Sequence, residues 1–498
     1  MNLSTNPFYS SLETRRSFLG KGTTGIGLAA LAGLLNQDRA LGKSIGDFTF
    51  PNFAPKAKRV VVLWQGGGPS HIDLLDPKPT LTKMAGKDIP NSVRGDTRLS
   101  TMSSSYKAWP CVPEIKPYKK YGQCGTEISS MLPNIGSHAD DLCIVRSLNT
   151  EAVNHAPGVT FMLTGSQIPG RPSMGAWLTY GLGSESEDLP AFVVMTSTDK
   201  GRTCGQLFYD YYWGSGFLPS KFQGVKFNRT GDPVPYLNNP AGVSGKARRS
   251  LLDRMAELNQ AHHSEFGDPE IETRISQYEM AFRMQTSVPE LLDFKKEPDD
   301  VIKRYGPDVQ QRGTFASNCL TARRLLERGT RFVQLMHSGW DQHSNLFTQL
   351  EKQCLATDAP TGALIQDLKD RDMLKDTLVI WGGEFGRTSY CQGKLTRENY
   401  GRDHHPRAFT TWMAGGGIKP GITYGQSDDY GYNLTDRDGN VIKPNKHHWT
   451  QDTMHVHDLN ATILHLLGID HRKLTYRYQG RDFRLTDIHG HVIKDIIA

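Results

Sequence analysis

The chain has 498 residues, of which 37% are hydrophobic and 22% are charged, and it carries a formal net charge of +6. This is the composition of an ordinary globular protein, long enough for one large domain or two smaller ones. So small an excess of positive charge, without a basic stripe that carries interleaved aromatic residues, argues against nucleic acid as a partner.

The first 42 residues have the pattern of a signal peptide. They contain the adjacent pair Arg15 and Arg16, then an apolar, glycine-rich run at 25–35, and then Ala40-Leu41-Gly42, which has the small-x-small form of a cleavage site. We therefore predict export by the twin-arginine translocase, a partner during export, to the periplasm or the cell exterior. The alternative is an uncleaved membrane anchor, although the apolar run is short for spanning a bilayer.

Six short apolar runs in the rest of the chain predict buried strands, at residues 59–64, 142–146, 191–195, 331–335, 377–381 and 409–413. Helical patterns lie between several of them, at residues 127–139, 157–165, 245–330 in pieces, 345–371 and 457–467. Strands that alternate with helices predict one α/β domain over 43–498, with a mostly parallel central sheet covered on both faces. Two loop-rich segments, 205–243 and 422–453, are predicted insertions that shape a substrate entrance.

The chain has seven cysteines with wide spacing and no Cys-x-x-Cys pair. A zinc site built from thiolates and a haem or iron–sulfur redox protein are therefore not expected. In an oxidising compartment Cys111 and Cys124 are the favoured disulfide pair, because they lie in the same loop-rich region.

Two segments in the first third of the chain carry polar residues directly after predicted strands, where α/β proteins usually place their sites. His71 and Asp73 follow the first strand and a glycine run, and a ligand role is weighed against a plain strand-to-helix turn. Residues 149–158 follow the second strand and open an apolar helix, whose free N–H groups and dipole suit a nucleophile or an anion. Ordinary capping by Thr150 or Asn154 is the alternative.

Two further segments follow the fourth and fifth predicted strands. Asp341 and His343 alternate along an extended segment, so both side chains point to one side, which favours a metal site. Glu384 is a candidate metal ligand, and Arg387 is a candidate for gripping an ester oxyanion. A buried Glu–Arg pair that holds the turn would explain these last two residues equally well.

The fifth segment, just before the sixth predicted strand, contains Arg402, Asp403 and the adjacent imidazoles of His404 and His405. Tandem histidines on a loop can be simply solvated, but the neighbouring acid favours a metal site. Oxygen and nitrogen ligands without thiolates suit zinc, manganese, calcium or magnesium.

The order of these segments resembles that of the alkaline phosphatase superfamily, which includes sulfatases, phosphodiesterases and cofactor-independent phosphoglycerate mutases. Asp73 resembles its metal-binding aspartate, and residues 154–165 resemble its helix with a nucleophile at the start and Thr-Gly at the end. Residues 377–387 resemble its strand ending in Asp-His-Gly, residues 414–421 the loop after its last metal histidine, and residues 458–469 a further helix. The resemblance implies an α/β three-layer sandwich with a metal-dependent site.

More narrowly, the chain resembles a large sulfatase-like family of twin-arginine-exported bacterial proteins, of the domain of unknown function 1501 type. The matching motifs are Gly-Gly-Gly-Pro-Ser-His-Ile-Asp at 66–73, Glu-Phe-Gly-Arg-Thr at 384–388, Gly-Arg-Asp-His-His-Pro at 401–406 and Ala-Gly-Gly-Gly-Ile-Lys at 414–419. The family has no settled activity, so the resemblance implies the fold more directly than the function.

Three departures from the superfamily's motifs bear on the mechanism. Residues 111–115 read Cys-Val-Pro-Glu-Ile, which lacks the arginine of the formylglycine motif Cys-x-Pro-x-Arg of sulfatases. Glu151 stands where phosphodiesterases have their nucleophilic threonine, with Thr150 one residue before it. Residues 384–386 read Glu-Phe-Gly instead of Asp-His-Gly, which removes one imidazole from the two usual metal positions.

The resulting hypothesis is an exported metal-dependent hydrolase of phosphate or sulfate esters, including those of sulfated polysaccharide. One or two divalent metals would be held by Asp73, Asp341, His343, Glu384, His404 and His405. Thr150 would be the nucleophile if there is a covalent step, and Glu151 would be a base or ligand if there is not. Arg387 would bind the reacting anion. Further contacts with the substrate would come from His71, Asn154, His155 and Arg402. The alternative is a non-catalytic sulfatase-like protein that binds sulfated polysaccharide or another anionic ligand.

Overall fold

The computed structural model describes residues 43–45, 48–95, 97, 99–198, 204–235, 237–266, 269–442 and 451–498. The predicted signal peptide, with Arg15 and Arg16, lies outside the described residues, as does part of the second predicted insertion. Among the helices of the described part, none combines the length and the apolar character needed to cross a membrane.

Nine strands of the described chain form one central sheet. In chain order they are β1 (Arg59–Gly66), β2 (Leu142–Asn149), β3 (Phe192–Ser197), β4 (Val225–Phe227), β5 (Phe332–Ser338), β6 (Thr377–Gly382), β7 (Phe409–Ala414), β8 (Ile422–Tyr424) and β9 (Met454–His455). The order across the sheet is β8-β2-β7-β6-β1-β5-β3-β4, and β9 also pairs with β2. All neighbours are parallel except the two pairs that β7 makes with β6 and β2. The predicted mostly parallel sheet is therefore confirmed.

Eight helices of seven or more residues are present in the described part of the chain. They are α1 (His155–Thr164), α2 (Met174–Leu182), α3 (Gly245–Phe266), α4 (Pro269–Leu292), α5 (Asp299–Tyr305), α6 (Phe315–Glu327), α7 (Leu346–Asp370) and α8 (Val456–Leu466). The site depends most on α1, which begins after the extended residue Asn154 and ends at Gly165. The φ of Gly165 is 68°, a left-handed conformation that glycine adopts without strain, so the helix stops there.

Two hydrophobic cores lie on opposite faces of the sheet. Along β1 the side chains alternate, so Val61 and Leu63 belong to the core that α6 and α7 cover. Val60 and Val62 belong to the other core, which α1, α2 and α8 cover. Both sets of side chains are almost fully buried, as expected for a parallel sheet between two helical layers. The expected three-layer α/β architecture is therefore present.

The helix predicted at 127–139 is wrong. Residues Thr126–Ser129 form a strand that pairs antiparallel with Tyr118–Tyr121, and only Pro133–Gly136 is helical. The apolar residues of this stretch look periodic in the sequence, but they are divided between a hairpin and one helical turn. The proline at the first helical position is compatible with a helix start, and the glycine at the end of that turn, a poor helix former, fits the short length.

The disulfide favoured between Cys111 and Cys124 is not formed. Both thiols are free, and Cys111 is buried while Cys124 is exposed. Burial raises the pKa of the Cys111 thiol to about 11, so this side chain behaves as a small apolar group.

Candidate functional site

Four side chains from three parts of the chain converge beyond the carboxyl ends of the central strands. His155 is the first residue of α1, Asp341 and His343 follow β5, and His404 lies in a short hairpin that pairs it with Arg387. One potential ligand atom from each of the four lies within 4.8 Å of the others. We call these four residues the metal group.

The contacts within the metal group meet at one carboxylate oxygen. Asp341 Oδ1 lies 2.7 Å from Nε2 of His343 and 3.3 Å from Nε2 of His404. Nε2 of His155 is 3.1 Å from the same oxygen but lacks hydrogen-bond geometry. The guanidinium of Arg387 adds a fourth contact at 2.8 Å. Three imidazole nitrogens and one carboxylate oxygen therefore point into the same small volume.

The other ring nitrogen of each histidine is held by an oxygen. Nδ1 of His155 lies 2.5 Å from Glu384 Oε1, Nδ1 of His343 lies 2.5 Å from Gln392 Oε1, and Nδ1 of His404 lies 2.7 Å from the carbonyl oxygen of Val153. Carboxylate and carbonyl oxygens only accept hydrogen bonds, so the Nδ1 atoms carry the protons. In the neutral imidazoles, Nε2 then presents a lone pair to the metal group, which is how metal-bound histidines are oriented.

Burial and charge act in opposite directions on these groups. Burial lowers the pKa of His404 to about 3, although Asp341 acts against this shift. Burial would also lower the pKa of His155, but contacts with Asp341 and Glu384 outweigh it and raise that pKa to about 9. Burial would raise the pKa of Asp341, yet the three imidazoles and Arg387 hold it far below its usual range. Asp341 is therefore a carboxylate at any ordinary pH.

The metal group fits a divalent transition metal. Nε2 of His155 is a buried polar atom without a hydrogen-bond partner, and such atoms are rare in a protein interior. Three imidazoles and one carboxylate form a ligand set typical of zinc, with distances that metal binding would adjust. Calcium and magnesium prefer sets made of oxygen atoms, so this group suits them less well.

Glu384 and Arg387 each contact one member of the metal group and tie it to the surrounding backbone. Glu384 is fully buried, and its Oε1 accepts a hydrogen bond from the backbone N–H of Gly67 at 2.9 Å as well as facing His155. Arg387 donates to the carbonyl oxygens of Gly68 and Arg402, at 2.9 and 3.0 Å, besides contacting Asp341. The structure thus places the predicted ligand Glu384 behind His155, and it directs the guanidinium of Arg387 at the protein rather than at a substrate anion.

Asp73 and Arg402 form a fully buried ion pair, with Arg402 Nε 2.8 Å from Asp73 Oδ2. Both carboxylate oxygens are used, since Asp73 also accepts from Ser70 Oγ at 2.5 Å and from the N–H of Ile115 at 3.0 Å. The structure therefore does not bring Asp73, a predicted metal ligand, into the metal group. Arg402, predicted to bind substrate, is likewise committed to the interior, because a buried charge without its partner is costly.

His71 and His405 are buried and hold a nearby loop. Nε2 of His71 donates to the carbonyl oxygen of Gly431 at 2.9 Å, and Nε2 of His405 donates to that of Tyr432 at 2.6 Å. Burial lowers the pKa of both imidazoles, to about 3 for His405. The structure thus separates His405 from its neighbour His404 and leaves it, with His71, outside the metal group.

The residues that follow β2 make contacts with one another and with His455 rather than with the metal group. Thr150 is buried, and its Oγ1 accepts from the backbone N–H of Ala152 at 3.3 Å. Both carboxylate oxygens of Glu151 lie 3.2 Å from Nε2 of His455, whose Nδ1 accepts from a backbone N–H. Asn154 is exposed at the start of α1 and makes no capping hydrogen bond. The nucleophilic role of Thr150 stays a prediction that its placement does not favour.

Of the predicted site residues, the structure brings together Asp341, His343, His404 and His155, the last of which was assigned to substrate rather than metal. The sequence analysis missed the supporting oxygens of Gln392 and Val153 altogether. A backbone carbonyl leaves no trace in a sequence, and Gln392 is separated from His343 by 49 residues. His155 carried a usable signal, because it directly opens the helix at this edge of the sheet.

Comparison with known proteins gives one family match. The family model described as "Protein of unknown function (DUF1501)" matches residues 57–497. No curated protein matches the chain.

Solved structures with a similar arrangement are distant in sequence. A sulfatase from Pseudoalteromonas sp. is 12% identical over 89% of this chain and 71% of its own, with a TM-score of 0.32. A protein in the alkaline phosphatase superfamily from Vibrio parahaemolyticus is 10% identical over 84% of this chain and 68% of its own, with a TM-score of 0.34. A lipoteichoic acid synthase from Listeria monocytogenes is 9% identical over 88% of this chain and 78% of its own, with a TM-score of 0.35. Similarities this distant do not indicate an activity for this chain.

Proposed function

We propose, from the geometry of its site, that this chain, which belongs to the family described as "Protein of unknown function (DUF1501)", is a metal-dependent hydrolase of phosphate or sulfate esters. One observation carries the proposal. Three imidazole Nε2 atoms and the Asp341 carboxylate converge, while each Nδ1 is fixed by an oxygen behind it. Such an arrangement of potential ligand atoms stabilises a bound cation.

The four residues of the metal group would hold the metal, with zinc favoured by the three imidazoles. When bound, a metal of this kind polarises an ester oxygen and lowers the pKa of a nearby hydroxyl or water. Glu384 keeps the His155 ring in the required orientation, and Arg387 anchors the Asp341 carboxylate to the turn after β1. The N-terminus of α1, with His155 as its first residue, directs the positive end of its dipole at the site, which favours an anionic substrate.

A second candidate function is a non-catalytic protein that binds an anionic ligand such as sulfated polysaccharide. The placement of Thr150 favours this candidate, since the predicted nucleophile bonds to Ala152 and Glu151 faces His455. A metal-assisted hydrolysis needs no nucleophilic side chain, however, so an enzyme remains the better account of four converging ligands.

The protein would act outside the cytoplasm. This part of the proposal rests on Arg15 and Arg16, on the apolar run at 25–35 and on the small residues at 40–42, which together have the form of a twin-arginine signal. The translocase would be the partner in export, and the substrate would be an ester met in the periplasm or beyond the cell.

Turnover of a panel of aryl phosphate and aryl sulfate esters tests the proposed activity. We expect His404→Ala to abolish turnover of any ester that the unmodified protein hydrolyses. His405→Gln is the matched control, because it changes the adjacent buried imidazole, which lies outside the metal group, and it should retain turnover per folded molecule. Equal activity of the unmodified protein and the His404→Ala variant would overturn the assignment of the site.

A further inference from the structure

The start of the first predicted insertion, residues 205–243, lies against the first turn of α1 beside the metal group. Gln206 Oε1 accepts a hydrogen bond at 3.1 Å from the backbone N–H of Ala156, the residue after His155. Leu207 packs on the end of β1, where a methyl group added to Gly66 would lie 3.4 Å from its side chain. Burial raises the pKa of the Cys204 thiol to about 11, and the negative charges of Asp341 and Glu384 add to this shift. Residues 204–212 are therefore a wall of the site.

Three tyrosines follow on this wall and pack against one another. The rings of Tyr209 and Tyr211 are stacked, with centroids 5.2 Å apart and planes at 26°. Tyr212 lies beneath them, with its ring edge-on to Tyr211 at 4.8 Å and fully buried. Its hydroxyl donates to the carbonyl oxygen of Gln206 at 2.5 Å, which ties the rings to the residue that contacts α1. The stacked pair thus has a fixed support.

The stacked pair keeps an exposed surface. Tyr209 is 40% exposed and Tyr211 is partly exposed, so part of this aromatic surface is accessible to solvent. Asp210 lies between the two tyrosines in the chain, and its side chain is 86% exposed. Its carboxylate is 4.0 Å from the ammonium of Lys226, which is 39% exposed and lies 5.3 Å from the centre of the Trp213 ring. A flat apolar face with acceptors and donors beside it combines the features of a ligand subsite.

We propose that Tyr209 and Tyr211 form a subsite that stacks on a sugar ring bearing the ester, a step that rests on the proposed hydrolase function. A sugar ring presents a face of C–H groups that fits the tyrosine rings, and hydroxyls at its edge that fit the carboxylate of Asp210 and the ammonium of Lys226. A purely aromatic leaving group would use the rings but would offer no hydroxyls to the exposed carboxylate of Asp210. The substrate class assigned here is therefore a sugar phosphate or sugar sulfate.

Turnover of matched substrates tests the subsite. Glucose 6-sulfate and glucose 6-phosphate carry the ring, whereas methyl sulfate and methyl phosphate carry the same ester without it. We expect Tyr209→Ala and Tyr211→Ala to lower kcat/KM for the sugar esters by about tenfold, through KM, and to leave the methyl esters unchanged. Tyr278→Ala is the matched control, because Tyr278 is 41% exposed and lies on α4, and it should change neither.

Binding separates failure of the subsite from failure of the hydrolase. If the unmodified protein hydrolyses no ester, the proposed function is contradicted, and the subsite is then judged by titration of the same two sugar esters into the unmodified protein. Binding that Tyr209→Ala weakens supports the subsite. Equal binding with and without Tyr209, absence of any sugar binding, or equal loss of turnover on sugar and methyl esters would overturn it.

Discussion

Oε1 of Glu384 lies 2.5 Å from Nδ1 of His155, although 229 residues separate the two in the chain. This contact fixes which ring nitrogen of His155 carries the proton and directs the other into the metal group. The same oxygen accepts from the backbone N–H of Gly67, so the carboxylate links the loops after β1 and β6 to the start of α1. Glu384 is therefore placed to orient the His155 ring.

Glu384→Gln should weaken metal binding without abolishing it. The amide can still accept from Nδ1 of His155, but it removes the negative charge that makes the imidazole a better ligand. We expect the metal Kd to rise by about 10- to 100-fold, the range found for such supporting groups. Competition with a chelator of known affinity measures the change. Glu351→Gln, at a partly exposed carboxylate paired with Lys116, is the control, and an unchanged Kd for Glu384→Gln would contradict the role.

Arg402→Met should destabilise the fold while leaving the metal group intact. It removes one member of a fully buried ion pair and leaves Asp73 charged in the interior. Such changes cost about 3–5 kcal/mol in the free energy of unfolding. Chemical denaturation measures this loss, and metal content per folded molecule should stay at the level of the unmodified protein. Loss of metal from a protein that is still folded would return Asp73 to the set of candidate ligands.

Thr150→Ala should lower turnover less than tenfold. Its hydroxyl already accepts a hydrogen bond from the backbone N–H of Ala152, so we expect its loss to remove a local contact rather than the nucleophile. A covalent mechanism would make the hydroxyl essential and the loss several orders of magnitude. Rates on an ester that the unmodified protein hydrolyses distinguish the two, with Thr179→Ala on α2 as the matched control.

Replacing Arg15 and Arg16 together by lysine should block export. The twin-arginine route depends on the pair itself, so a substitution that conserves charge isolates recognition from electrostatics. We expect the uncleaved chain to accumulate in the cytoplasm, measured by fractionation and immunoblotting. Changing Lys21 to Arg serves as the control. An unchanged yield outside the cytoplasm for the double variant would refute this route.

The central strands were predictable because a short, continuous apolar sequence is typical of a strand buried on both faces. Residues 60–64 are continuously apolar, as expected of a strand that is buried on both faces, and the structure has β1 there. The stretch at 127–139 was mispredicted because its apolar residues serve two different elements. The short strands β4, β8 and β9 and the helix α2 were not predicted, since their positions depend on packing rather than on a local pattern.

The site was predictable only in part, for a related reason. Asp341 and His343 were recognised because two ligands alternate at a strand end, and His404 because it follows an acid. Sequence alone cannot say that His405 turns away from His404 toward Tyr432, or that Asp73 meets Arg402 across 329 residues. Tertiary packing decides that Asp341 lies among three imidazoles and that Asp73 is buried against an arginine instead.

Elemental analysis of the purified protein, alone and as the variant with Asp341→Ala and His343→Ala, tests the metal group most directly. Two of four converging ligands are removed, and the remaining pair cannot complete the coordination. The account predicts bound divalent metal, zinc in preference to calcium or magnesium, in the unmodified chain and none in a variant that circular dichroism shows to be folded. Full metal occupancy in the folded double variant would contradict it.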